Sequence, residues 1–331
     1  MEGGAELSIL TFEGKTYECK AGERVLDCLM RHNVMLPSSC RSGVCHTCMV
    51  RATTGTVPEA AQKGIKDTLR AQNYFLACVC EPEDDLEISM VDSAAVRQRA
   101  TLVSKNLLNE SVMRLRFSCE TPFEYRAGQF INLVRPTDEL IRSYSLASLP
   151  DESELEFHIK RVPEGRMSNW VFDDLEEGKD LEFFGPSGDC FYLPADPDAG
   201  LLLVGTGTGL APLYGIVRDA LAQGHRGPIR FFHASLATPG LYMIDVMREM
   251  ASENDNMDYT PCVLHGDPPE GGKQGNVIDV VRDEMPDMAG WRIYLCGDPP
   301  IVDGLKRMCF MSGAKMQDIH SDPFVFAPQE G

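Results

Sequence analysis

Four cysteines in this chain have the residue type and spacing needed to hold a metal cluster. Cys40, Cys45 and Cys48 follow the pattern C-x4-C-x2-C, and Cys78 follows further along in Leu-Ala-Cys. Four thiolates can bind two bridged irons, with two ligands to each iron, so the pattern favours a [2Fe-2S] cluster. Gly43 permits the sharp turns that bring backbone N–H groups to the cluster sulfides. A four-thiolate zinc site is the alternative, although zinc sites more often use paired C-x2-C motifs.

A glycine-rich turn later in the chain could bind a nucleotide. It consists of Gly205, Thr206, Gly207, Thr208 and Gly209. The turn follows a short apolar run and precedes a helical pattern, so its glycines would let a pyrophosphate approach the positive end of a helix. Such turns also serve plain strand-to-helix packing, and that alternative stays open for the motif alone.

A second motif, Cys296-Gly297-Asp298, ends a later strand pattern, where ligands of parallel sheets bind. A buried structural role for Cys296 is its alternative.

Two motifs in the middle of the chain share a different chemistry. They are Arg142-Ser-Tyr144-Ser145 and Gly165-Arg-Met167-Ser168, the second of which is expected to open a helix. In this order they resemble the flavin-binding barrel of the ferredoxin–NADP reductase family. The resemblance implies that Arg142 neutralises a cofactor phosphate, Tyr144 packs on the flavin and Ser145 hydrogen-bonds near flavin N5. It further implies FAD rather than FMN, because a pyrophosphate turn is present.

The same resemblance assigns more residues. Ile159 and Lys160 match the strand that lines the flavin, and Gly165, Met167 and Ser168 match the phosphate turn. The glycine-rich turn and Cys296-Gly297-Asp298 resemble the nicotinamide domain, in which the Cys-Gly turn lies beside the reacting carbon. The C-terminal His-Ser-Asp-Pro-Phe resembles the family ending in which an aromatic residue covers the flavin. We assign that role to Phe324, with Phe326 as the alternative, and expect Ser145, Cys296 and Phe324 to act in catalysis.

Three domains are expected to carry these motifs. Residues 1–92 should form a β-grasp ferredoxin domain, in which a helix over 23–32 buries Val25, Leu26, Leu29 and Met30. Residues 98–197 should form an antiparallel barrel that binds FAD, because strands such as Leu155–Val162 alternate between apolar and polar residues. Residues 198–331 alternate strand and helix, up to a strand near 315–319, and predict a doubly wound parallel sheet that binds NAD.

Composition excludes several classes of function. The chain has 331 residues and a formal net charge of −19, which argues against nucleic acid or an anionic membrane as a partner. No apolar run approaches the length of a membrane span, and no signal peptide is visible. Twelve cysteines without these features favour reduced thiols and a cytoplasmic location. Cys28 and Cys80 are expected to be buried, and His46 an exposed side chain rather than a ligand.

The order ferredoxin, flavin barrel, nicotinamide domain resembles the reductase components of bacterial multicomponent oxygenases. The resemblance implies an NADH:acceptor oxidoreductase that passes electrons through FAD and the [2Fe-2S] cluster to a terminal oxygenase in a transient complex. NADH is favoured because no Arg or Lys lies between Arg230 and Arg248, where a 2′-phosphate would need one. Two alternatives stay open: a reductase serving a radical deoxysugar dehydratase, and a zinc-stabilised sensor that binds flavin or nucleotide.

Overall fold

The computed structural model describes residues 8–38, 41, 43, 48–90 and 97–325. The chain folds into two compact units, Met1–Ala95 and Val96–Gly331. Each unit is built on its own hydrophobic core. No helix within the described ranges combines the length and the apolar character that crossing a bilayer requires.

The first unit is a small mixed sheet with one helix packed on it. Its strands are β1 (Ser8–Phe12), β2 (Lys15–Cys19), β3 (Met49–Thr54), β4 (Tyr74–Leu76) and β5 (Leu86–Ser89). Its helices are α1 (Val25–Arg31) and the single turn α2 (Asp67–Arg70). The strand order is β2-β1-β5-β3-β4, in which only the β1–β5 pair is parallel. This arrangement confirms the predicted β-grasp domain, although β4 and α2 were not anticipated from the sequence.

Helix α1 corrects one detail of the predicted core. Val25, Leu26 and Leu29 are fully buried as expected, but Met30 is 37% exposed. Successive helical residues are about 100° apart, which places Met30 just beyond the buried arc and Cys28 within it. Cys28 and Cys80 are both fully buried, as predicted.

The second unit begins with an antiparallel sheet. Its strands are β6 (Gln98–Asn109), β7 (Val112–Cys119), β8 (Phe130–Arg135), β9 (Leu140–Ser145), β10 (Glu154–Lys160) and β11 (Asp180–Ser187). The strand order is β10-β7-β6-β11-β8-β9, and helix α3 (Arg166–Asp173) follows β10. The chain just after β9 hydrogen-bonds back to β10, because the Ala147 N–H donates to the Glu156 carbonyl at 2.9 Å. The sheet therefore curls as the predicted barrel requires.

Strand β10 departs from the expected alternation. Leu155, Phe157 and Ile159 lie in the barrel core, yet Glu156 and His158 on the opposite face are also buried. That second face packs against the parallel-sheet part of the same unit, where His158 contacts Tyr242.

A parallel sheet completes the second unit. Its strands are β12 (Leu201–Thr206), β13 (Ile229–Ser235), β14 (Met257–Val263), β15 (Lys273–Gln274), β16 (Arg292–Gly297) and β17 (Ile319–Pro323). Its helices are α4 (Leu210–Ala222), α5 (Ile244–Glu253), α6 (Val277–Glu284) and α7 (Pro299–Met311). All neighbouring strands are parallel, in the order β15-β14-β13-β12-β16-β17. Separate apolar clusters cover the two faces, one including α4 and the other α6 and α7, which confirms the doubly wound sheet.

The last strand was predicted too early. It begins at Ile319, and the preceding residues Met316–Asp318 form a 3-10 turn. This shift matters because β17 carries Asp322 and delivers Phe324 to the carboxyl edge of the sheet, beside β16.

Candidate cofactor sites in the two units

Two of the predicted cluster ligands lie side by side in the first unit. Cys48 directly precedes β3 and Cys78 follows β4, and these strands are antiparallel neighbours. The Ala77 N–H donates to the Cys48 carbonyl at 3.1 Å, and each cysteine is only 3% exposed. Burial, together with a hydrogen bond that the Cys48 thiol donates to the neighbouring Cys78 side chain, raises the pKa of Cys48 to about 11. Cys40 and Cys45, and with them His46, lie outside the described residues.

Gly43 lies against the segment that follows Cys78. Gly43 has φ +78°, and a Cβ there would lie 3.4 Å from the side chain of Val79. Arg41, also with positive φ, hydrogen-bonds Asp27 of α1. Two buried thiols from separate segments, close to a glycine with positive φ, fit a four-thiolate iron–sulfur cluster.

Cys80 differs from Cys78 despite its proximity in sequence. Its backbone carbonyl accepts a hydrogen bond from the Val25 N–H at 2.8 Å, which ties this segment to the start of α1. Burial raises the pKa of the Cys80 thiol to about 12. The surroundings of Cys80 are thus those of a core side chain.

The Arg-Ser-Tyr-Ser motif occupies β9. Arg142 and Tyr144 are half-exposed on one face of the strand, and Arg142 Nη1 donates to the Ile141 carbonyl at 2.7 Å. Burial of the phenol raises the pKa of Tyr144, so its hydroxyl stays protonated. Ser145 is buried at the end of the strand and donates its hydroxyl to Asp322 Oδ2 at 2.9 Å.

The predicted phosphate turn is a tight cradle that only glycine fits. A Cβ at Gly165 would lie 2.5 Å from Ser168 Oγ and 3.0 Å from Val162. The Ser168 hydroxyl closes the turn, because it accepts from the Val162 N–H at 3.1 Å and donates to the Gly165 carbonyl at 3.3 Å. Helix α3 begins directly after Gly165 and directs its first N–H groups to this turn. These features fit the diphosphate of a dinucleotide cofactor.

The other residues predicted to contact the flavin differ in the direction of their side chains. Ile159 and Met167 point into the barrel core, so only their backbone atoms are available to a cofactor. Lys160 is exposed.

The two predicted nicotinamide motifs are in direct contact, because β12 and β16 are neighbours. A Cβ at Gly209 would lie 2.2 Å from the Cys296 carbonyl oxygen. A Cβ at Gly297, whose φ is +120°, would lie 2.3 Å from Thr206 Oγ1. Thr206 Oγ1 also accepts a hydrogen bond from the Asp298 N–H at 2.8 Å.

The glycine-rich turn has one packed side and one open side. Gly205 and Gly209 are buried, whereas Thr206, Gly207 and Thr208 are half-exposed. Gly207 has φ +54°, and a Cβ there would meet no atom within 4 Å. An open, glycine-lined turn at the start of α4 fits a nucleotide pyrophosphate.

Phe324 and Cys296 lie close to this turn in different ways. Phe324 is half-buried, and its N–H donates to the Gly297 carbonyl at 2.8 Å. Cys296 is fully buried, its Sγ lies 3.8 Å from Cys190 Sγ, and burial raises the pKa of its thiol. Phe326 lies outside the described residues.

Asp322 was missed in the sequence. Burial raises the pKa of its carboxyl to about 6, although the hydrogen bond from Ser145 opposes the rise. The two residues are separated by 177 positions, so no local pattern signals the pair. The only sequence hint is the position of Asp322 two residues before Phe324.

Three family models match successive parts of the chain. The family described as the 2Fe-2S iron-sulfur cluster binding domain matches residues 10–83. The oxidoreductase FAD-binding domain matches 99–192, and the oxidoreductase NAD-binding domain matches 203–307. The fold and these sites therefore define an oxidoreductase that combines a [2Fe-2S] cluster, FAD and a nicotinamide dinucleotide.

Similar proteins match along nearly the full chain. The chain is 33% identical to the reductase component of the naphthalene 1,2-dioxygenase system of Pseudomonas putida, over 92% of this chain and 94% of that protein. It is 34% identical to the reductase subunit of an aromatic O-demethylase from Amycolatopsis, over 94% and 97%. A crystal structure of an Amycolatopsis cytochrome P450 reductase has a TM-score of 0.68 at 28% identity, covering 96% of this chain and 98% of that one. The chain belongs to the ferredoxin–NAD(P)+ reductase family of oxygenase reductase components.

Membership in this family decides between the cluster and the zinc alternative in favour of the [2Fe-2S] cluster. The roles of individual residues stay predictions.

Proposed function

We propose that this protein oxidises NADH and delivers the electrons one at a time to the terminal oxygenase component of a multicomponent oxygenase. We also propose the domain limits 1–92, 98–197 and 198–331 for its ferredoxin, FAD and NAD parts. When bound, FAD and the cluster supply hydride acceptance and single-electron transfer, respectively.

The observation that carries this proposal is the bridge between the flavin strand and the nicotinamide edge. Ser145 on β9 donates to Asp322 on β17 at 2.9 Å, and Phe324, which directly follows β17, donates its N–H to the Gly297 carbonyl at the end of β16. These two hydrogen bonds connect Ser145, which is assigned to flavin N5, with the Gly297 turn, which is assigned to the nicotinamide. Hydride transfer requires contact between the flavin ring and the nicotinamide ring, and these hydrogen bonds support that contact because they join the two binding segments.

The chain's own residues have separate tasks. Arg142 and the Gly165 turn bind the phosphates of FAD, and the Tyr144 ring orients the flavin. The turn from Gly205 to Gly209 binds the nicotinamide dinucleotide pyrophosphate. Phe324 excludes water from the flavin face until the nicotinamide replaces it. Ser145 places its hydroxyl oxygen beside the site of hydride arrival, while its proton is donated to the Asp322 carboxyl.

NADH is preferred over NADPH in this proposal. The segment after β13, which would meet the adenosine ribose, carries no Lys or Arg up to Arg248. Arg248 itself donates to the Glu270 carbonyl and lies 3.6 Å from the Asp245 carboxylate. A 2′-phosphate would have to compete with this carbonyl and this carboxylate for the Arg248 guanidinium.

The oxygenase partner is expected to form a transient complex. A net charge of −19 favours a partner with a basic docking face, whose encounter rate falls with salt. The thiol-rich ferredoxin unit suits a reducing compartment, and we place the protein in the cytoplasm.

A matched pair of variants tests the proposed order of electron flow. Cys78→Ala removes a predicted cluster ligand, whereas Cys80→Ala removes a buried thiol two residues away. NADH-dependent reduction of ferricyanide and of the oxygenase component is measured for both, with FAD content as the check on folding. We expect Cys78→Ala to abolish oxygenase reduction and to spare ferricyanide reduction, and Cys80→Ala to spare both. Loss of both activities in an FAD-loaded Cys78→Ala protein would contradict the order.

A further inference from the structure

A buried histidine outside the predicted sites contacts the glycine-rich turn. His233 on β13 is fully buried, and its Nε2 lies 3.2 Å from the Gly207 carbonyl oxygen. Its Nδ1 lies 3.3 Å from the Tyr259 hydroxyl on β14. The ring also packs edge-on against Tyr242, with the ring centroids 5.5 Å apart. Contacts on three sides hold the imidazole in one orientation.

The chemistry of these partners fixes where the proton of His233 lies. Burial lowers the pKa of His233 to about 4, so the ring is neutral at physiological pH. A carbonyl oxygen can only accept, so Nε2 carries the hydrogen and donates it to Gly207. Nδ1 is then the acceptor of a hydrogen bond that the Tyr259 hydroxyl donates.

Tyr242 is held from the barrel side in the same manner. Its hydroxyl lies 3.1 Å from His158 Nδ1, and His158 Nε2 lies 2.9 Å from Glu156. Although burial opposes it, hydrogen bonds from His158 and Arg116 lower the pKa of Glu156 to about 2. The carboxylate therefore accepts from His158, and Tyr242 donates to the remaining imidazole nitrogen. This series of hydrogen bonds connects the flavin barrel to Tyr242, which packs against His233 behind the glycine-rich turn.

Two hydrogen bonds fix which way one peptide group faces, because the Gly207 carbonyl accepts from His233 and from the Leu210 N–H that closes the 3-10 turn over Gly207–Gly209. In a trans peptide, the carbonyl of residue 207 and the N–H of residue 208 point in opposite directions. His233 holds the Gly207 carbonyl toward the interior, so the Thr208 N–H faces the open side of the turn. The opposite orientation would place a carbonyl dipole where the pyrophosphate binds and would repel it. Without His233 only the Leu210 bond would hold this peptide, and glycine at position 207 tolerates both signs of φ, so the peptide would turn away more readily.

We propose that His233 is a positioning residue for the nicotinamide dinucleotide, which acts by holding the peptide between Gly207 and Thr208 with its N–H toward the pyrophosphate. This inference rests on the proposed function, since it assumes that the turn binds the dinucleotide. It adds a residue that touches neither substrate nor flavin, and it identifies the pyrophosphate as the group whose binding depends on it.

The test compares two buried histidines of the same sheet domain. His233→Phe removes the donor and keeps an aromatic ring, whereas His225→Phe makes the same change at a histidine that bonds Tyr192, before β13. Anaerobic stopped-flow reduction of the flavin by NADH gives an apparent Kd and a limiting rate for each FAD-loaded protein. ADP-ribose, which carries the pyrophosphate, and adenosine, which carries no phosphate, serve as competitive inhibitors.

For His233→Phe we expect a rise in Kd for NADH of about 10- to 100-fold, with the limiting rate within about two-fold of the unsubstituted protein. ADP-ribose binding should weaken by a similar factor and adenosine binding should not. His233→Gln, which keeps an N–H donor, should recover most of the affinity. His225→Phe should leave both constants unchanged.

Equal Kd values for His233→Phe and the unsubstituted protein, or equal weakening of ADP-ribose and adenosine, would overturn the inference. If His233→Phe does not fold, Tyr259→Phe replaces it and should weaken NADH binding several-fold in the same direction, with an unchanged Kd counting against the inference. Failure of the proposed function is distinguishable, because the flavin of the unsubstituted protein would then not be reduced by NADH at all.

Discussion

Substitution of Gly209 by alanine should separate the two motifs of the dinucleotide site. A Cβ at this position would lie 2.2 Å from the Cys296 carbonyl oxygen and 2.6 Å from its carbonyl carbon, both of which are backbone atoms. Ordinary contact begins at 3.4 Å, so the turn and β16 must move apart by about 1.2 Å. A misplacement of about 1 Å in a reactive pair costs on the order of 100-fold in rate.

We therefore expect Gly209→Ala to lower kcat/KM for NADH by about 100-fold, equivalent to about 2.7 kcal/mol. The assay is NADH-dependent ferricyanide reduction by protein that retains FAD. Flavin reduction by dithionite should be unchanged, since it does not use the nucleotide site.

Gly224→Ala is the matched control for Gly209→Ala. Gly224 follows α4 with φ +77°, and a Cβ there would meet no atom within 4 Å. Its substitution costs only backbone strain, about 1–2 kcal/mol of stability, and should not change KM. A Gly209→Ala protein with the KM and kcat of the unsubstituted enzyme would refute the placement of the turn against β16.

Three further predictions concern stability and binding. Burial raises the pKa of Asp322 to about 6, so the protonated carboxyl stabilises the fold at low pH. The free energy of unfolding, measured by flavin-monitored unfolding, should fall by about 2 kcal/mol as pH rises from 4 to 6. Asp322→Asn should remove this pH dependence. The same slope in the variant would contradict this. Thr206→Val removes the acceptor of the Asp298 N–H and should raise KM for NADH about five-fold, by about 1 kcal/mol, so an unchanged KM would count against the contact. Gly55→Ala, whose Cβ would lie 2.2 Å from the Asp85 carbonyl, should destabilise the ferredoxin unit by about 2–4 kcal/mol in cluster-loss measurements, and KM for NADH should not move.

Local sequence patterns correctly predicted most strands and helices of the parallel-sheet part of the second unit. The run from Leu201 to Ala222 reads as strand, glycine turn and helix because each part depends on residues adjacent in the chain. The fully buried parallel strands were recognisable as short apolar runs between polar turns.

Features that depend on distant residues were not predictable in this way. Strand β11 contains Gly185 and Pro186, which signal a turn, yet it pairs with both β6 and β8 at the centre of the sheet. The bond of Ser145 to Asp322 and that of His233 to Gly207 exist only because the chain folds one segment against another. A histidine inside an apolar strand carries no local sign of the carbonyl that it will meet.

The central claim is that electrons from NADH reach both FAD and a [2Fe-2S] cluster in this one chain. Its most direct test is an anaerobic titration of the purified protein with NADH, followed by absorbance and electron paramagnetic resonance, alongside iron and sulfide analysis. The account predicts about two irons and two sulfides per chain, bleaching of the flavin band and the signal of a reduced cluster. Zinc in place of iron, or a flavin that stays oxidised in excess NADH, would contradict it.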